Sequence, residues 1–514
     1  MSAADPANEN LFVTLRRSFP ADLDRIAVRT ADGVPAAYSW RELDESSARL
    51  ANLLESLALP RGTRVALQTE KSVEALMLYL AVLRAGLVFL PLNTAYQPAE
   101  IEYFIQDAEP LVMVCSGANF ERISAIARAA GTPHVFSLNQ DRSGSLLDAA
   151  APHSPHHVPA QVGADELAVI LYTSGTTGRS KGAMLSHGNI GANARTLKSY
   201  WGWRQDDVLI HALPLFHVHG LFVAAQGALL SGSAMIWFHR FDAAAVVAQL
   251  PQASIFMGVP TLYVRMLGES ALTREACRNM RLFTAGSAPL LPETFHRWSK
   301  RTGHLILERY GMSETLMLTS NPCLPEDGER RAGTVGFPLP GVELRITDEL
   351  GKPRAPGEIG AIEVKGPSVF QGYWRAPGLT REAFTGDGWF RTGDMGFIDH
   401  RRYLAIVGRS KDLIITGGYN VYPAEVESYL NELPGVAESA VIGVPHPDFG
   451  EAVVAVVTAE AGTSPDALAL ISELKARIAN FKVPKRLFVV DELPRNVMGK
   501  VQKALLRERH KGLF

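Results

Sequence analysis

Between Leu167 and Tyr200 three segments follow in an order that few folds accommodate. These are the apolar run LAVILY, a loop of glycines and hydroxyls carrying one lysine, and a stretch of helical periodicity from Ser186 to Tyr200. The run reads as a buried strand, Leu167 to Tyr172, and Ser186 is the expected N-cap of the helix that follows the polar loop. In YTSGTTGRSKG, Tyr172 to Gly182, the glycines let several backbone N–H groups approach one anion. The hydroxyls of Thr173, Ser174, Thr176 and Thr177 add donors, and Lys181 adds charge. A strand before the loop and a helix after it favour a phosphate grip over a surface linker. The G-x-x-x-x-G-K-[ST] spacing is not met, so this is not a Walker loop.

The same rhythm recurs along the chain. IFMG, Ile255 to Gly258, precedes a helix opened by Pro260, and LFTAG, Leu282 to Gly286, precedes one near Pro292. Short apolar runs alternating with amphipathic stretches predict an α/β fold. The C-terminal part differs. A strand at Asp412 to Thr416, a helix after Pro423, strands near Ser439 to Val444 and Ala452 to Thr458, a helix around Leu468 to Ile478 and the run RLFVVD predict a small α+β unit. The expected boundaries are residues 1–408 and 409–514, with GRSKD, Gly408 to Asp412, as the junction and hinge. A chain of 514 residues with 47% hydrophobic content can bury more than one core.

Charge argues for a small partner. Fifty-one basic side chains against 53 acidic ones, with no long run of either sign, leave no electrostatic footprint for nucleic acid or an anionic membrane. The uncharged stretch Gly220 to Phe238 is broken by Gly227, Ser231, Gly232 and Ser233, and predicts a buried helix, a turn and a strand rather than a membrane span. Cys115, Cys277 and Cys323 lack metal-ligand spacing and suit a reducing compartment. The N-terminus has neither the basic start nor the apolar run of a secretory signal, so a cytoplasmic location is expected.

Four more motifs follow the loop in order: RYGMSET (Arg309 to Thr315), RTGD (Arg391 to Asp394), GRSKDLIITGGYNVYPAEVE (Gly408 to Glu427) and PRNVMGKVQK (Pro494 to Lys503). With YTSGTTGRSKG they resemble the adenylate-forming superfamily of acyl-CoA synthetases, firefly luciferases and nonribosomal peptide adenylation domains. The resemblance implies an α/β acyl-adenylate-forming fold, with a large multi-subdomain N-terminal domain and a small mobile α+β C-terminal domain. It also implies ATP-dependent activation of a carboxylic acid, followed by transfer to coenzyme A. The nucleotide would lie against Thr173, Ser174, Gly175, Thr176, Thr177, Gly178 and Lys181, against Ser287, Ala288 and Pro289 of GSAPL, and against Glu308, Arg309, Tyr310, Gly311, Met312 and Ser313. Asp394 would take the ribose hydroxyls and Arg409 would add charge-assisted contacts. Glu314 would hold Mg2+, and Thr173 and Lys500 would join it as catalytic residues. Acetylation of Lys500 would remove its charge and is expected to mimic its loss.

LPLFHVHGL, Leu213 to Leu221, invites a metal reading, because His217 and His219 would share one face of a strand; no third ligand is evident nearby. The resemblance instead makes His217 a gate between the acyl and thiol sites. It makes Lys411 the hinge residue and Gly417, Gly418 and Tyr419 the lining of the pantetheine tunnel. QTEKSVEALMLYLAVLRAG, PLNTAY, LPLFHVHGLF, GVPTLYVRML and ITGGYNVYPAEVE are similar to bacterial malonyl-CoA synthetases, which implies malonate or methylmalonate as the acid. A dicarboxylate with its second carboxylate inside the protein needs a paired cation. Arg265 on the helix after GVPT is the candidate and Arg281 its rival, with Ser287 and Met312 completing the acid site. Another short-chain or aryl acyl-CoA ligase, or an adenylation enzyme loading a carrier protein, would keep the same nucleotide motifs.

Overall fold

Runs of four apolar residues become fully buried strands when both faces of a sheet are covered. The computed structural model, which describes residues 8–173, 180–496 and 499–514, places every residue of Val112–Cys115, Ile255–Gly258 and Leu282–Ala285 out of solvent. Two large sheets contain these runs. A six-stranded sheet runs His134–Ser137, Val112–Cys115, Arg64–Gln68, Val88–Pro91, Leu167–Thr173, Lys181–Ser186. All its neighbours are parallel except the last pair, which is antiparallel with Thr173 opposite Lys181. The expected polar connection to the helix is therefore partly a strand. A hairpin carries the loop, and its return strand brings the lysine back beside the threonine.

The helix His187–Tyr200 begins as expected. The Ser186 hydroxyl accepts from Asn189 N at 3.0 Å, and Asn189 Oδ1 in turn accepts from Ser186 N. A nine-stranded sheet runs Phe337–Pro338, Leu316–Ser320, Leu307–Met312, Leu282–Ala285, Ile255–Gly258, Val208–His211, Ala234–Trp237, Ile26–Thr30, Ala37–Ser39. The helix Val73–Arg84 lies between the two sheets and is buried on every side. Its Tyr79 ring packs 5.2 Å from Phe89 of one sheet and 6.0 Å from Phe222 beside the other. Lys71 just before it clips the layers together, donating to the carbonyls of His211 at 2.8 Å and Phe238 at 2.6 Å.

The α/β scheme does not continue to Gly408. Residues Glu343–Thr347, Gly360–Lys365, Phe390–Ile398 and Leu404–Arg409 form an antiparallel four-stranded sheet of their own. Antiparallel strands need no crossover, although a short helix, Pro377–Ala383, stands in the connection between Gly360–Lys365 and Phe390–Ile398. Beyond Lys411 a second pair of cores begins, built on strands Ile414–Thr416, Tyr419–Val421, Val436–His446, Gly450–Ala459 and Arg486–Val490. Helices Pro423–Asn431, Ala467–Arg477 and Lys503–His510 accompany this sheet. The stretch Gly220 to Phe238 contains a π-helix His219–Ala225, a helix Gln226–Ser231 and the strand Ala234–Trp237. Among the described residues no helix is long and apolar enough to cross a membrane.

Candidate active site

Thr173, the loop Gly286 to Leu290 and Met312 lie at the carboxyl ends of strands Leu167–Thr173, Leu282–Ala285 and Leu307–Met312, where open α/β sheets leave a crevice. Thr173 ends the strand before the phosphate loop; Ser174, Gly175, Thr176, Thr177 and Gly178 lie outside the described residues. Its hydroxyl donates to Glu314 Oε1 at 3.3 Å. Tyr373, which sequence reasoning passed over, donates its phenol to the same oxygen at 3.1 Å. Glu314 is only 6% exposed. Burial raises its pKa, and the Tyr373 and Thr173 bonds oppose that rise. One buried carboxylate and a neighbouring hydroxyl form a hard oxygen set that suits Mg2+ completed by phosphates and water. Among the described residues no group of three or more His, Cys, Asp or Glu is placed to hold a metal.

The strand Leu307–Met312 supplies the next layer. Alternation sends Arg309 to the face opposite Glu308 and Tyr310. The Tyr310 hydroxyl donates to Asp394 Oδ2, and Arg409 Nε lies 3.2 Å from Asp394 Oδ1, so the expected ribose carboxylate is held by two neighbours. Glu308 Oε1 accepts from Leu290 N at 2.9 Å and anchors the loop Gly286 to Leu290. Burial pushes this carboxyl up to about 8, against the pull of the Leu290 N–H and Arg309, so it is protonated at neutral pH. Within that loop Ser287 takes the left-handed conformation, φ +72°. Such strain in a non-glycine residue persists only where the surroundings enforce it.

Arg309 is 2% exposed. Among the described residues it makes no ion pair, and its Nε and Nη2 find no hydrogen-bond partner. Burial pulls its pKa down to about 10, with Tyr263 and Glu308 opposing, so it remains a cation at neutral pH. Its guanidinium packs against Gly286, where any side chain would collide with it. Arg265, the cation expected for the acid, is exposed on the helix Pro260–Leu267, and Arg281 is consumed by a bidentate pair with Asp207. Of these three arginines, Arg309 is the one that is buried and without an ion pair among the described residues. The motif RYGMSET had assigned it to the nucleotide, and nothing in the sequence distinguished a paired arginine from an unpaired one.

The two histidines do not share a strand face. His217 sits in the turn before the π-helix and His219 opens that helix. His219 N donates to His217 Nδ1 at 3.4 Å, and His219 Nδ1 lies 3.4 Å from Ser287 Oγ. Burial pulls His217 down to about 4, and the charges of Arg309 and Lys500 act in the same direction, so it is neutral at physiological pH. His217 thus lies within reach of both cations. Met312 and Ser313 are half-buried at the end of the same strand, with Gly311, and Ala288 is half-buried and Pro289 exposed in the neighbouring loop.

Lys500 reaches this cleft from the C-terminal unit. Gly499 takes φ +72° and approaches Thr261 so closely that a Cβ there would sit 2.7 Å from the threonine hydroxyl. The lysine as a residue keeps solvent access, yet its ammonium is crowded by protein. Burial first, then Arg409, pulls its pKa down to about 8, with Asp394 and Asp412 opposing. Lys411 is exposed, while its neighbour Ser410 donates to Gly393 O at 3.1 Å. Gly417, Gly418 and Tyr419 are all exposed, and the Tyr419 ring stacks on Phe481 at 4.6 Å.

The sequence matches the AMP-binding enzyme family over residues 15–374 and the AMP-binding enzyme C-terminal domain over residues 425–500. The chain belongs to the AMP-binding enzyme family. It is 34% identical to the malonate–CoA ligase of Arabidopsis thaliana, with 94% of this chain and 86% of that one covered. It is 35% identical to the mitochondrial malonate–CoA ligase of Homo sapiens, with 95% and 90% covered. Its fold matches the crystal structure of ATP-bound MatB from Rhodopseudomonas palustris with a TM-score of 0.95, at 52% identity and with 98% and 99% of the two chains covered. A benzoate–CoA ligase from Burkholderia xenovorans matches with a TM-score of 0.87 at 29% identity, with 97% and 99% covered.

Proposed function

We propose that the protein is an AMP-forming malonate–CoA ligase, converting malonate, ATP and CoA to malonyl-CoA, AMP and pyrophosphate through a malonyl-adenylate. The observation that carries the choice of acid is Arg309, a buried guanidinium with no ion pair among the described residues, packed against Gly286 and near His217. An unpaired buried cation is expensive, and a dicarboxylic substrate would supply the missing anion. Its planar fork suits bidentate capture of the distal carboxylate. The likeness to malonate–CoA ligases supports the same reading.

In the first half-reaction a malonate carboxylate oxygen attacks the α-phosphorus and the bond to pyrophosphate breaks. Such transfer is served by positioning and by charge placed where negative charge spreads. Lys500 supplies that charge, and Asp394 with Arg409 orients the ribose. Glu314 and Thr173 would hold Mg2+, which neutralises phosphate charge when bound. In the second half-reaction the CoA thiolate attacks the acyl carbonyl and AMP leaves. Lys500 has to withdraw for the thiol to enter, so we place the domain boundary at 408/409, the pivot at Lys411 and the tunnel wall at Gly417, Gly418 and Tyr419, with neutral His217 as the gate. Three free thiols, Cys115, Cys277 and Cys323, support a cytoplasmic setting.

The test is AMP release with ATP, Mg2+ and CoA across acetate, propionate, malonate, methylmalonate, succinate and benzoate. Malonate or methylmalonate in first place is expected. Preference for a monocarboxylate would leave the ligase chemistry and remove the role of Arg309.

A further inference from the structure

We propose that Tyr373 is a positioning residue that fixes Glu314 and the phosphate-loop lysine, Lys181, in one arrangement. The proposal rests on the reading of Glu314 as the carboxylate that faces the nucleotide's divalent cation. The segment Gln371 to Trp374 lies along the strand Lys181–Ser186. Gln371 N donates to Met184 O at 3.0 Å, Met184 N to Gly372 O at 3.0 Å, and Trp374 N to Gly182 O at 2.7 Å. The strand leaving the phosphate loop is thus held on one side by Leu167–Thr173 and on the other by this segment.

Tyr373 is immobilised within it. Its N–H donates to Thr380 Oγ1 at 2.9 Å, and its ring meets Phe370 edge-on at 4.9 Å between centroids. From that fixed ring two contacts leave. The hydroxyl donates to Glu314 Oε1 at 3.1 Å, and Lys181 Nζ lies 5.2 Å from the ring centroid. The phenol and Thr173 both converge on Oε1, so neither of these two donors takes up Oε2. Groups that hold a metal-binding carboxylate in this way are worth about 10–100-fold in metal affinity. The aromatic face under the ammonium restrains the lysine through a cation–π contact.

Two contacts from one ring separate into two measurements on the full-length protein, with Mn2+ as the probe. Binding of Mn2+ to the protein–ATP complex is read from the free-ion EPR signal, and ATP binding without divalent metal is read by calorimetry. Tyr373→Phe keeps the ring and removes the donor. Its Mn2+ affinity should fall about tenfold, the lower end of the range for such supporting groups, with metal-free ATP affinity unchanged. Tyr373→Leu removes the ring as well, and metal-free ATP affinity should then fall too. Glu314→Gln serves as the reference. If it binds Mn2+ as the parent does, the reading of Glu314 fails and the proposal with it. If Glu314→Gln is weakened while Tyr373→Phe is not, Glu314 stands and the role of Tyr373 is overturned. Equal loss of metal-free ATP binding in the Phe and Leu variants would overturn the part assigned to the ring.

Discussion

Arg309 and Lys500 are the two cations that act on His217, and the fold holds them in opposite ways. Arg309 projects from a strand inside the nine-stranded sheet, 2% exposed, with its guanidinium against a glycine. Lys500 arrives on a loop of the C-terminal unit and meets the large domain where Gly499 faces Thr261. On the proposed reading, a charge that would recognise substrate in both half-reactions can be built into a rigid core. A charge needed in only one of them is better carried on an element that can leave. The desolvation costs differ accordingly, since guanidinium stays charged when buried whereas an ammonium is readily depressed.

The sharpest way to break this contrast is Lys500→Ala. Adenylation, followed by pyrophosphate exchange, should fall by about 10²–10³-fold, the scale for removing one group that stabilises transition-state charge. Thioester formation from supplied malonyl-adenylate should persist; equal loss of both steps would mean that Lys500 serves both half-reactions. Arg309→Leu comes next. Leaving the distal carboxylate buried and unpaired costs about 3–5 kcal/mol, so kcat/KM for malonate should fall by at least about 10²-fold. Propionate should be turned over as well as before or better; parallel losses for both acids would show Arg309 to be structural.

The charge state of Lys500 gives a milder test. With its pKa near 8, the lysine is charged below that pH and neutral above it. The kcat/KM of adenylation should therefore decline as pH rises through 8, and Lys500→Arg, charged throughout, should lose that limb. Glu308, beside Arg309 on the same strand, sharpens the other half. Its folded pKa near 8 lies above the ordinary carboxylate value, so the folded state holds a proton that the unfolded state releases. Stability should therefore fall as pH rises from about 4.5 to 8. Glu308→Gln, uncharged throughout, should flatten that slope in pH-dependent urea unfolding while changing little near pH 5. The smallest effect is expected for Arg265→Ala, exposed on its helix, with malonate KM within about twofold, as surface substitutions usually are. A large rise there would return Arg265 to the acid site.

Much of this architecture was legible because it rests on local chemistry. The buried runs before Thr173 and Gly286, the capping of the helix after Ser186, and the prolines opening helices at Pro260 and Pro292 are decided within a few residues of chain. The return strand Lys181–Ser186 and the sheet from Glu343 to Arg409 were not read. Segments such as KGAMLS and FRTGDMGFI carry glycines and mixed polarity that do not separate a strand from a loop, and pairing partners settle them instead. The strand face expected to carry His217 and His219 is missing for a related reason, because a π-helix starts where alternation suggested a strand.

The sequence alone determined the order of chemical parts: the loop with Lys181, the strand with Glu308 to Met312, Glu314, Asp394, Arg409 and Lys500, each in a motif whose resemblance to adenylate-forming enzymes implies its task. Only the tertiary structure decided which charges are satisfied. Arg281 and Arg309 are both arginines on or beside buried strands, yet one pairs with Asp207 and the other makes no ion pair among the described residues, its acidic neighbour Glu308 being protonated. Likewise Tyr373 lies 59 residues from Glu314 in sequence and meets its carboxylate in space. Pairing depends on which side chains the fold brings within about 3 Å, where hydrogen bonds form, and a one-dimensional pattern carries no record of that distance.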